Sequence, residues 1–141
     1  MSPRSPEANQ KILLRVLIAD EHAQINEGLT AMLSDMDGIA IFGCAQEPAK
    51  VVALVESVQP DVVILDLNIP GPIGLKTLRT IKSLIPTPVV IVLSHYEIPP
   101  LREACNDAGA DYFLEKTDAP QRLREVLTGL LHGCRRSRRR A

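Results

Sequence analysis

The sequence predicts an α/β fold in which helices cover both faces of a parallel sheet. Three observations support this fold class. Five short apolar runs alternate with five helical patterns along the chain. Several of these runs are apolar at consecutive positions, as strands buried on both faces are. The length of 141 residues suits one domain with a single core. We therefore expect five parallel strands joined by right-handed helical crossovers.

The predicted strands are short runs of β-branched and aliphatic residues. In chain order they are LLRVLIA ending at Ala19, IAIFGC ending at Cys44, DVVILD ending at Asp66, PVVIVLS ending at Ser94 and DYFL ending at Leu114.

The first three predicted helices follow the first, second and third strands. The second of them extends from Pro48 to Val58. The other two are indicated by apolar residues spaced as on one face of a helix. These residues are Ile25, Leu29, Met32, Leu33 and Met36 for the first helix, and Leu75, Leu78, Ile81 and Ile85 for the third.

The fourth predicted helix extends from Pro99 to Ala108, and its two opening prolines fix where it starts. In the last helix Asp118 is placed to cap the N-terminus, Pro120 lies in the first turn and Gly133 is the expected stop. Its apolar stripe has the spacing i, i+3, i+4, i+7 and i+8. The stripe consists of Leu123, Val126, Leu127, Leu130 and Leu131.

Five strand–helix repeats of this kind predict a flavodoxin-like, doubly wound (βα)5 domain with a central five-stranded parallel sheet. Residues 1–10 carry two prolines and no periodicity, so we expect a flexible N-terminal lead-in. The folded domain is predicted over 11–133, and residues 134–141 are predicted to be a basic disordered tail.

The net charge of −1 hides a strong asymmetry, because five arginines lie in the last seven residues and leave −6 for the rest. The tail is interpreted as a solvated end, with an electrostatic arm for nucleic acid, an anionic membrane or an acidic partner as the alternative.

No apolar run is long enough to span a membrane or form a signal peptide, so the location is predicted to be cytoplasmic. Three widely spaced cysteines argue against a disulfide framework and a zinc site.

The carboxyl ends of the predicted strands carry most of the residues suited to chemistry. Asp20 and Glu21 follow the first strand, Asp66 ends the third, Ser94 ends the fourth and Lys116 lies just past the fifth. In open α/β sheets this edge holds the functional crevice. Carboxylates this close repel one another unless a cation lies among them. A set of oxygen ligands favours Mg²⁺ or Mn²⁺ over zinc.

This combination also suits phosphoryl transfer. A carboxylate such as Asp66 can accept a phosphoryl group and form an aspartyl phosphate. The charge on the transferring oxygens must then be neutralised from several sides, here by the metal, by Lys116 and by hydroxyl or backbone donors. Taken singly, each residue is more often a turn former or a helix cap, so the joint occurrence carries the prediction.

The sequence resembles the receiver domain of response regulators, in a stand-alone form like the chemotaxis regulators, from about Ile12 to Leu131. The matching segments are VLIADEH at 16–22, DVVILDLNIPGPIGLKTLRTIK at 61–82, VVIVLS at 89–94 and AGADYFLEK at 108–116. The resemblance implies that Asp66 is the phosphoacceptor. It also implies that Asp20, Glu21 and the backbone carbonyl of Asn68 join Asp66 in binding Mg²⁺.

The resemblance further implies a conformational switch. Ser94 would supply the hydroxyl that moves toward the phosphoryl group, Lys116 would pair with a phosphoryl oxygen, and Phe113 would be the aromatic side chain whose rotamer reports the state. The face formed by the fourth helix, fifth strand and fifth helix would then be remodelled for partner binding.

Four positions depart from the commonest form of the family pattern. Glu21 stands where a second aspartate is usual, and its longer side chain re-aims one metal ligand. His95 follows Ser94 where a small residue is more typical, which narrows access to Asp66. Thr117 stands where many receivers have a proline, and Phe113 lacks the hydroxyl of the commoner tyrosine.

The expected partners are a sensor histidine kinase or phosphotransfer protein and an unknown downstream protein; a homodimer is left open. A signalling domain rather than an enzyme is predicted, without specific DNA binding or a membrane span.

A haloacid-dehalogenase-type hydrolase is disfavoured because Asn68 replaces its second aspartate. A flavin or nucleotide carrier is disfavoured because ADEHAQ after the first strand is no glycine-rich phosphate loop. The remaining alternative is a receiver-like interaction module that works without phosphorylation.

Overall fold

The computed structural model describes residues 13–19, 23–45, 47–66, 72–94, 99–116 and 119–140, and these form five strands and five helices in alternation. The strands are β1 (Leu14–Ala19), β2 (Ile39–Ala45), β3 (Val62–Asp66), β4 (Val89–Ser94) and β5 (Tyr112–Glu115). The helices are α1 (Ala23–Ser34), α2 (Pro48–Val58), α3 (Pro72–Lys82), α4 (Pro99–Asp107) and α5 (Ala119–Arg140).

The five strands form one parallel sheet in the order β2-β1-β3-β4-β5. The chain first moves outward from β1 to β2 and then crosses back over β1 to β3, so the winding direction reverses between β1 and β3. The predicted flavodoxin-like, doubly wound fold is therefore confirmed. At such a reversal the loops at the carboxyl ends of the strands diverge and leave a crevice.

Alternate residues of each strand supply two hydrophobic cores, one on each face of the sheet. On one face α1 and α5 pack against the strands, and Leu33, Leu123 and Leu127 are among the fully buried helix residues there. On the other face α2, α3 and α4 contribute Val55, Leu78 and Cys105. Burial on both faces explains why the strands are apolar at consecutive positions.

Cys105 belongs to the second of these cores and has no exposed surface. Burial raises the pKa of its thiol, because the charged thiolate is poorly solvated in an apolar environment. The side chain therefore behaves as a small hydrophobic residue, in agreement with the absence of a cysteine motif in the sequence.

Two helices end earlier than their apolar stripes suggest. α1 ends at Ser34, so Met36 lies outside the helix and packs on the core from the turn leading to Gly38, whose φ is +88°. α3 ends at Lys82, and the expectation that Ile85 lies on its buried stripe is wrong, because Ile85 is 93% exposed. Ile85 precedes Pro86, and a residue before proline is disfavoured in the helical conformation.

The last helix is longer than predicted. Gly133 is not a stop, since α5 continues to Arg140, and the segment 134–140, expected to be disordered, is helical. A glycine in a helix interior costs only about 1 kcal/mol. The arginines that follow are good helix formers, and their charges interact favourably with the negative end of the helix dipole. Pro120 lies in the first turn as predicted, whereas the proposed cap Asp118 and the lead-in 1–10 lie outside the described residues.

The described helices include none that is both long enough and apolar enough to pass through a lipid bilayer.

Candidate functional site

Three of the predicted site residues come together at the carboxyl ends of neighbouring strands. Asp66 is the last residue of β3 and Ser94 is the last residue of β4, while Lys116 directly follows the end of β5. The strand registers pair Asp66 with Leu93 and Ser94 with Glu115. Because adjacent strands are about 4.8 Å apart, the three residues lie along one short stretch of the sheet edge.

A buried ion pair joins Asp66 to Lys116. The ammonium group of Lys116 donates a hydrogen bond to Oδ2 of Asp66, although their strands are separated by β4. Only 1% of the Asp66 side chain and 7% of the Lys116 side chain are exposed. A carboxylate buried to this degree requires a nearby positive charge, because the cost of removing it from water is several kcal/mol. Lys116 supplies that charge.

The remaining carboxylate oxygen, Oδ1 of Asp66, is also buried. Ser94 has no exposed surface and is one of the few buried polar residues of the described chain. The site therefore combines a carboxylate, a hydroxyl and an ammonium group in a place shielded from water. In such a place electrostatic interactions are stronger than they are on the surface. The arrangement can accept a negatively charged group and neutralise it.

Phe113 lies on β5 three residues before Lys116 and is buried against α4. The guanidinium carbon of Arg102, on α4, lies 4.7 Å from the centre of its ring, which is a cation–π contact. The sequence analysis missed Arg102. Its position three residues before the buried Cys105 was the available signal, because residues at this spacing share a helix face.

The other predicted site residues lie outside the described residues. They are Asp20, Glu21, Asn68, His95 and Thr117. Within the described ranges no three histidine, cysteine or acidic residues are close enough to hold a metal ion. Asp66 is the one proposed ligand with a described position. Its buried carboxylate is a hard oxygen donor of the kind that Mg²⁺ takes, so the donor chemistry fits.

The comparison with protein families gives a match over most of the chain. The model of the response regulator receiver domain matches residues 16–128. This range begins within β1 and ends in α5, so it contains most of β1 and the whole of the other four strands.

Similar curated proteins are response regulators. The response regulator GacA of Pseudomonas aeruginosa is 30% identical over 121 residues, which is 83% of this chain and 56% of that protein. The nitrate/nitrite response regulator protein NarL of Escherichia coli is 33% identical over 117 residues, which is 79% of this chain and 52% of that protein. The chain thus spans about half the length of the relatives it matches.

Solved receiver structures share the fold. The signal receiver domain of the putative response regulator NarL from Mycobacterium tuberculosis is 25% identical, with a TM-score of 0.77 and coverage of 86% of this chain and 98% of that one. The isolated receiver domain of RcsB from Salmonella enterica, with the phosphomimetic BeF3−, has the same identity and TM-score and covers 86% and 90%. Together with the parallel sheet and the Asp66–Lys116 pair, these matches show that the chain belongs to the response regulator receiver domain family of two-component signalling.

Proposed function

We propose that the chain accepts a phosphoryl group on Asp66 from a sensor histidine kinase or phosphotransfer protein, in a Mg²⁺-dependent reaction, and thereby switches the binding of a partner protein. The observation that carries this proposal is the buried Lys116–Asp66 ion pair at the carboxyl edge of the sheet. The pair places a carboxylate nucleophile beside a cation at the functional edge of the sheet. Family membership supports the same role.

The proposed chemistry is nucleophilic displacement at phosphorus. A carboxylate oxygen of Asp66 forms a bond to phosphorus as the bond from phosphorus to the donor's imidazole nitrogen breaks, and the electron pair of that bond stays with the nitrogen. Lys116 holds the carboxylate in place before the reaction. The same ammonium group pairs with a phosphoryl oxygen once the new group has arrived. The acyl phosphate is formed without a change of oxidation state.

The metal site is proposed to consist of Asp20, Glu21, Asp66 and the backbone carbonyl of Asn68. All four donors are oxygens, as Mg²⁺ or Mn²⁺ prefers. When bound, the divalent cation neutralises charge on the phosphoryl oxygens. Glu21 takes the place of the second aspartate that is usual in the family, so we expect its carboxylate to reach the site from a different direction.

We propose that Ser94 and Phe113 couple phosphorylation of Asp66 to a change at the partner-binding surface. Ser94 is buried at the end of β4, the strand next to that of Asp66, and Phe113 lies on β5 and is buried against α4. A movement of Ser94 toward the phosphoryl group would allow the ring of Phe113 to change its position. Because Arg102 rests on that ring, the change would reach α4 directly. The partner-binding face is therefore proposed to be the surface of α4, β5 and α5.

This role is one of signalling rather than of turnover, and the only chemistry proposed is self-phosphorylation and the hydrolysis of the aspartyl phosphate. The phosphodonor is a kinase or phosphotransfer protein, and the downstream partner is another protein. A homodimer through the same face is compatible with the proposal. We propose that the protein acts in the cytoplasm.

The test is the intact mass of the protein after incubation with acetyl phosphate or phosphoramidate, with and without Mg²⁺. We expect a gain of one phosphoryl group, about 80 Da, that needs the metal. Asp66→Asn should abolish the gain. Asp61→Asn is the matched control, since Asp61 lies immediately before β3 and Asp66 ends it. This control should be phosphorylated like the wild type.

No adduct on the wild type, or an adduct that persists in Asp66→Asn, would refute the proposal. The first result, together with no response to beryllofluoride, would favour the alternative of an interaction module that works without phosphorylation. Reversion of Glu21 to aspartate would then show whether the changed metal ligand is the cause.

A further inference from the structure

The chain contains two phenylalanines, and an arginine lies over the ring of each. The guanidinium carbon of Arg15 is 4.7 Å from the centre of the Phe42 ring, and that of Arg102 is 4.7 Å from the centre of the Phe113 ring. The two contacts have the same length but different surroundings, since Phe42 is 46% exposed and Phe113 is 7% exposed. A cation–π contact is worth more where water is excluded. The contact of Arg102 with Phe113 is therefore expected to be the stronger of the two.

The arginine over Phe42 has a structural role. Arg15 donates hydrogen bonds from its guanidinium group to the carbonyl oxygens of Val58 and Gln59, where α2 ends. Carbonyl groups at the end of a helix lack partners within the helix, so Arg15 satisfies them. Its position over Phe42 follows from these bonds. Phe42 lies on β2, at the opposite edge of the sheet from β5, so this pair serves as an internal reference.

Phe113 lies where a change at Ser94 would reach it. In the register of β4 and β5, Phe113 is paired with Val92, and Ser94 lies two residues further along β4. Side chains two residues apart on a strand point to the same face of the sheet. Val92 and Phe113 belong to the core to which α4 contributes, so Ser94 points to that face as well. Ser94 has no exposed surface, and its displacement toward Asp66 would leave space near the ring.

We propose that Arg102 is a positioning residue, which holds the ring of Phe113 in its buried place against α4 and so opposes the change that phosphorylation brings about. The inference rests on the proposed function, because it concerns the regulation of the same site. The ring has no hydroxyl group and cannot be oriented by a hydrogen bond of its own. A ring that moves into the space left by Ser94 moves away from α4 and loses the cation–π contact. A contact made only in the unphosphorylated state lowers the affinity for any group that favours the other state.

The test is the affinity of the full chain for beryllofluoride in the presence of Mg²⁺, followed by NMR of phenylalanine rings labelled with carbon-13. Arg102→Gln removes the cation, and we expect half-saturation at a beryllofluoride concentration about fivefold lower, which corresponds to a contact of about 1 kcal/mol. The direction of the change is informative because beryllofluoride is an anion, and loss of a positive charge would by itself weaken its binding. An affinity that is unchanged or lower would overturn the proposal.

Two further variants of α4 separate the charge of Arg102 from its bulk and from its helix. Arg102→Met keeps a long side chain without the cation and should behave like Arg102→Gln. Glu103→Gln removes a charge from the neighbouring exposed position and should change half-saturation by less than about 1.5-fold. Wild-type affinity in Arg102→Met would show that the stem rather than the cation holds the ring, and it would overturn the proposal.

A double-mutant cycle assigns the effect to the ring. Phe113→Leu removes the ring and keeps an apolar side chain in the core. In this background Arg102→Gln should change half-saturation by less than about 1.5-fold, because the group on which Arg102 acts is gone. The same fivefold effect in both backgrounds would show that Arg102 acts without the ring, which would contradict the positioning role.

The ring signals of the protein without beryllofluoride provide a readout that does not depend on phosphorylation. Relaxation dispersion measures exchange of a ring between two positions on the microsecond to millisecond timescale. In Arg102→Gln we expect this exchange to increase for Phe113 and to stay unchanged for Phe42, whose arginine is intact. If the wild type does not respond to beryllofluoride but the exchange increases, the proposed function fails and the positioning role stands. If the wild type responds and Arg102→Gln changes neither the affinity nor the exchange, the inference fails and the proposed function stands.

Discussion

The two ends of the sheet use the same residue type in different ways. At the amino ends of the strands, Asp61 precedes β3 and Asp111 precedes β5. Oδ2 of Asp61 accepts a hydrogen bond of 2.8 Å from the backbone N–H of Arg15, and Oδ2 of Asp111 accepts one of the same length from Val90. In return, the backbone N–H of Asp61 donates to the carbonyl oxygen of Arg15, and that of Asp111 donates to the carbonyl oxygen of Val90. At the carboxyl end, the partner of Asp66 is a side chain, Lys116.

The difference lies in the mobility of the donor. A backbone N–H within a strand is held in place by the sheet, so the carboxylates of Asp61 and Asp111 are fixed and contribute to the pairing of neighbouring strands. The ammonium group of Lys116 is on a stem of four methylene groups and can follow a new negative charge. The same strand, β3, therefore begins with an aspartate that fixes structure and ends with one that is available for chemistry.

The largest loss of stability from a single substitution is expected at the carboxyl end of the sheet. Lys116→Met leaves the Asp66 carboxylate, which is 1% exposed, without its main positive partner. Removing one member of a buried ion pair typically costs about 3 kcal/mol or more. We expect a loss of this size in the free energy of unfolding, measured with urea at pH 7.

The matched variant is the double substitution Lys116→Met with Asp66→Leu. Replacement of both charges by apolar groups of similar size is often neutral, so most of the lost stability should return. A single variant that loses less than about 1 kcal/mol would show that Asp66 is stabilised chiefly by other groups, and the pair would then not be the organising contact of the site.

The next largest effect is expected at the amino end of β5. Oδ2 of Asp111 accepts hydrogen bonds from Val90 N–H and from Lys82 Nζ, at 2.8 and 2.7 Å. Asp111→Ala removes both, and we expect a loss of about 2 kcal/mol, because one of the abandoned donors is a partly buried backbone group. Asp107→Ala, an exposed position on α4, is the control and should change stability by less than about 0.5 kcal/mol. Equal losses in the two variants would contradict the structural role of Asp111.

The sheet and its carboxyl edge could be predicted from the sequence because both depend on local patterns. Runs such as DVVILD and PVVIVLS indicate buried parallel strands, and the last residue of each run then marks the functional edge. Asp66, Ser94 and Lys116 were found at or just past such ends, and the structure places them at the carboxyl ends of three neighbouring strands. Their joint occurrence was informative because the fold determines that strand ends converge.

Other features could not be predicted because they depend on contacts between distant residues. An aspartate before a strand has the appearance of a turn former, and nothing local in the sequence indicates that Asp61 bonds to Arg15, 46 positions away. The contact of Arg102 with Phe113 is hidden for the same reason. The length of α5 was misjudged because Gly133 resembles a helix stop, whereas the arginines after it favour continuation of the helix.

The smallest expected effect is at the amino end of β3. Asp61→Ala removes one acceptor, so the backbone N–H of Arg15 loses its 2.8 Å partner, and we expect a loss of about 1 kcal/mol in urea unfolding. Asp61→Asn retains an acceptor oxygen of the same reach and should lose less than half as much. Hydrogen exchange provides a local measurement, since the amide of Arg15 should exchange faster in Asp61→Ala and near the wild-type rate in Asp61→Asn. If Asp61→Asn is as unstable as Asp61→Ala, the negative charge rather than the hydrogen bond stabilises this end. The two ends of β3 would then differ only in the mobility of the partner and not in the kind of interaction.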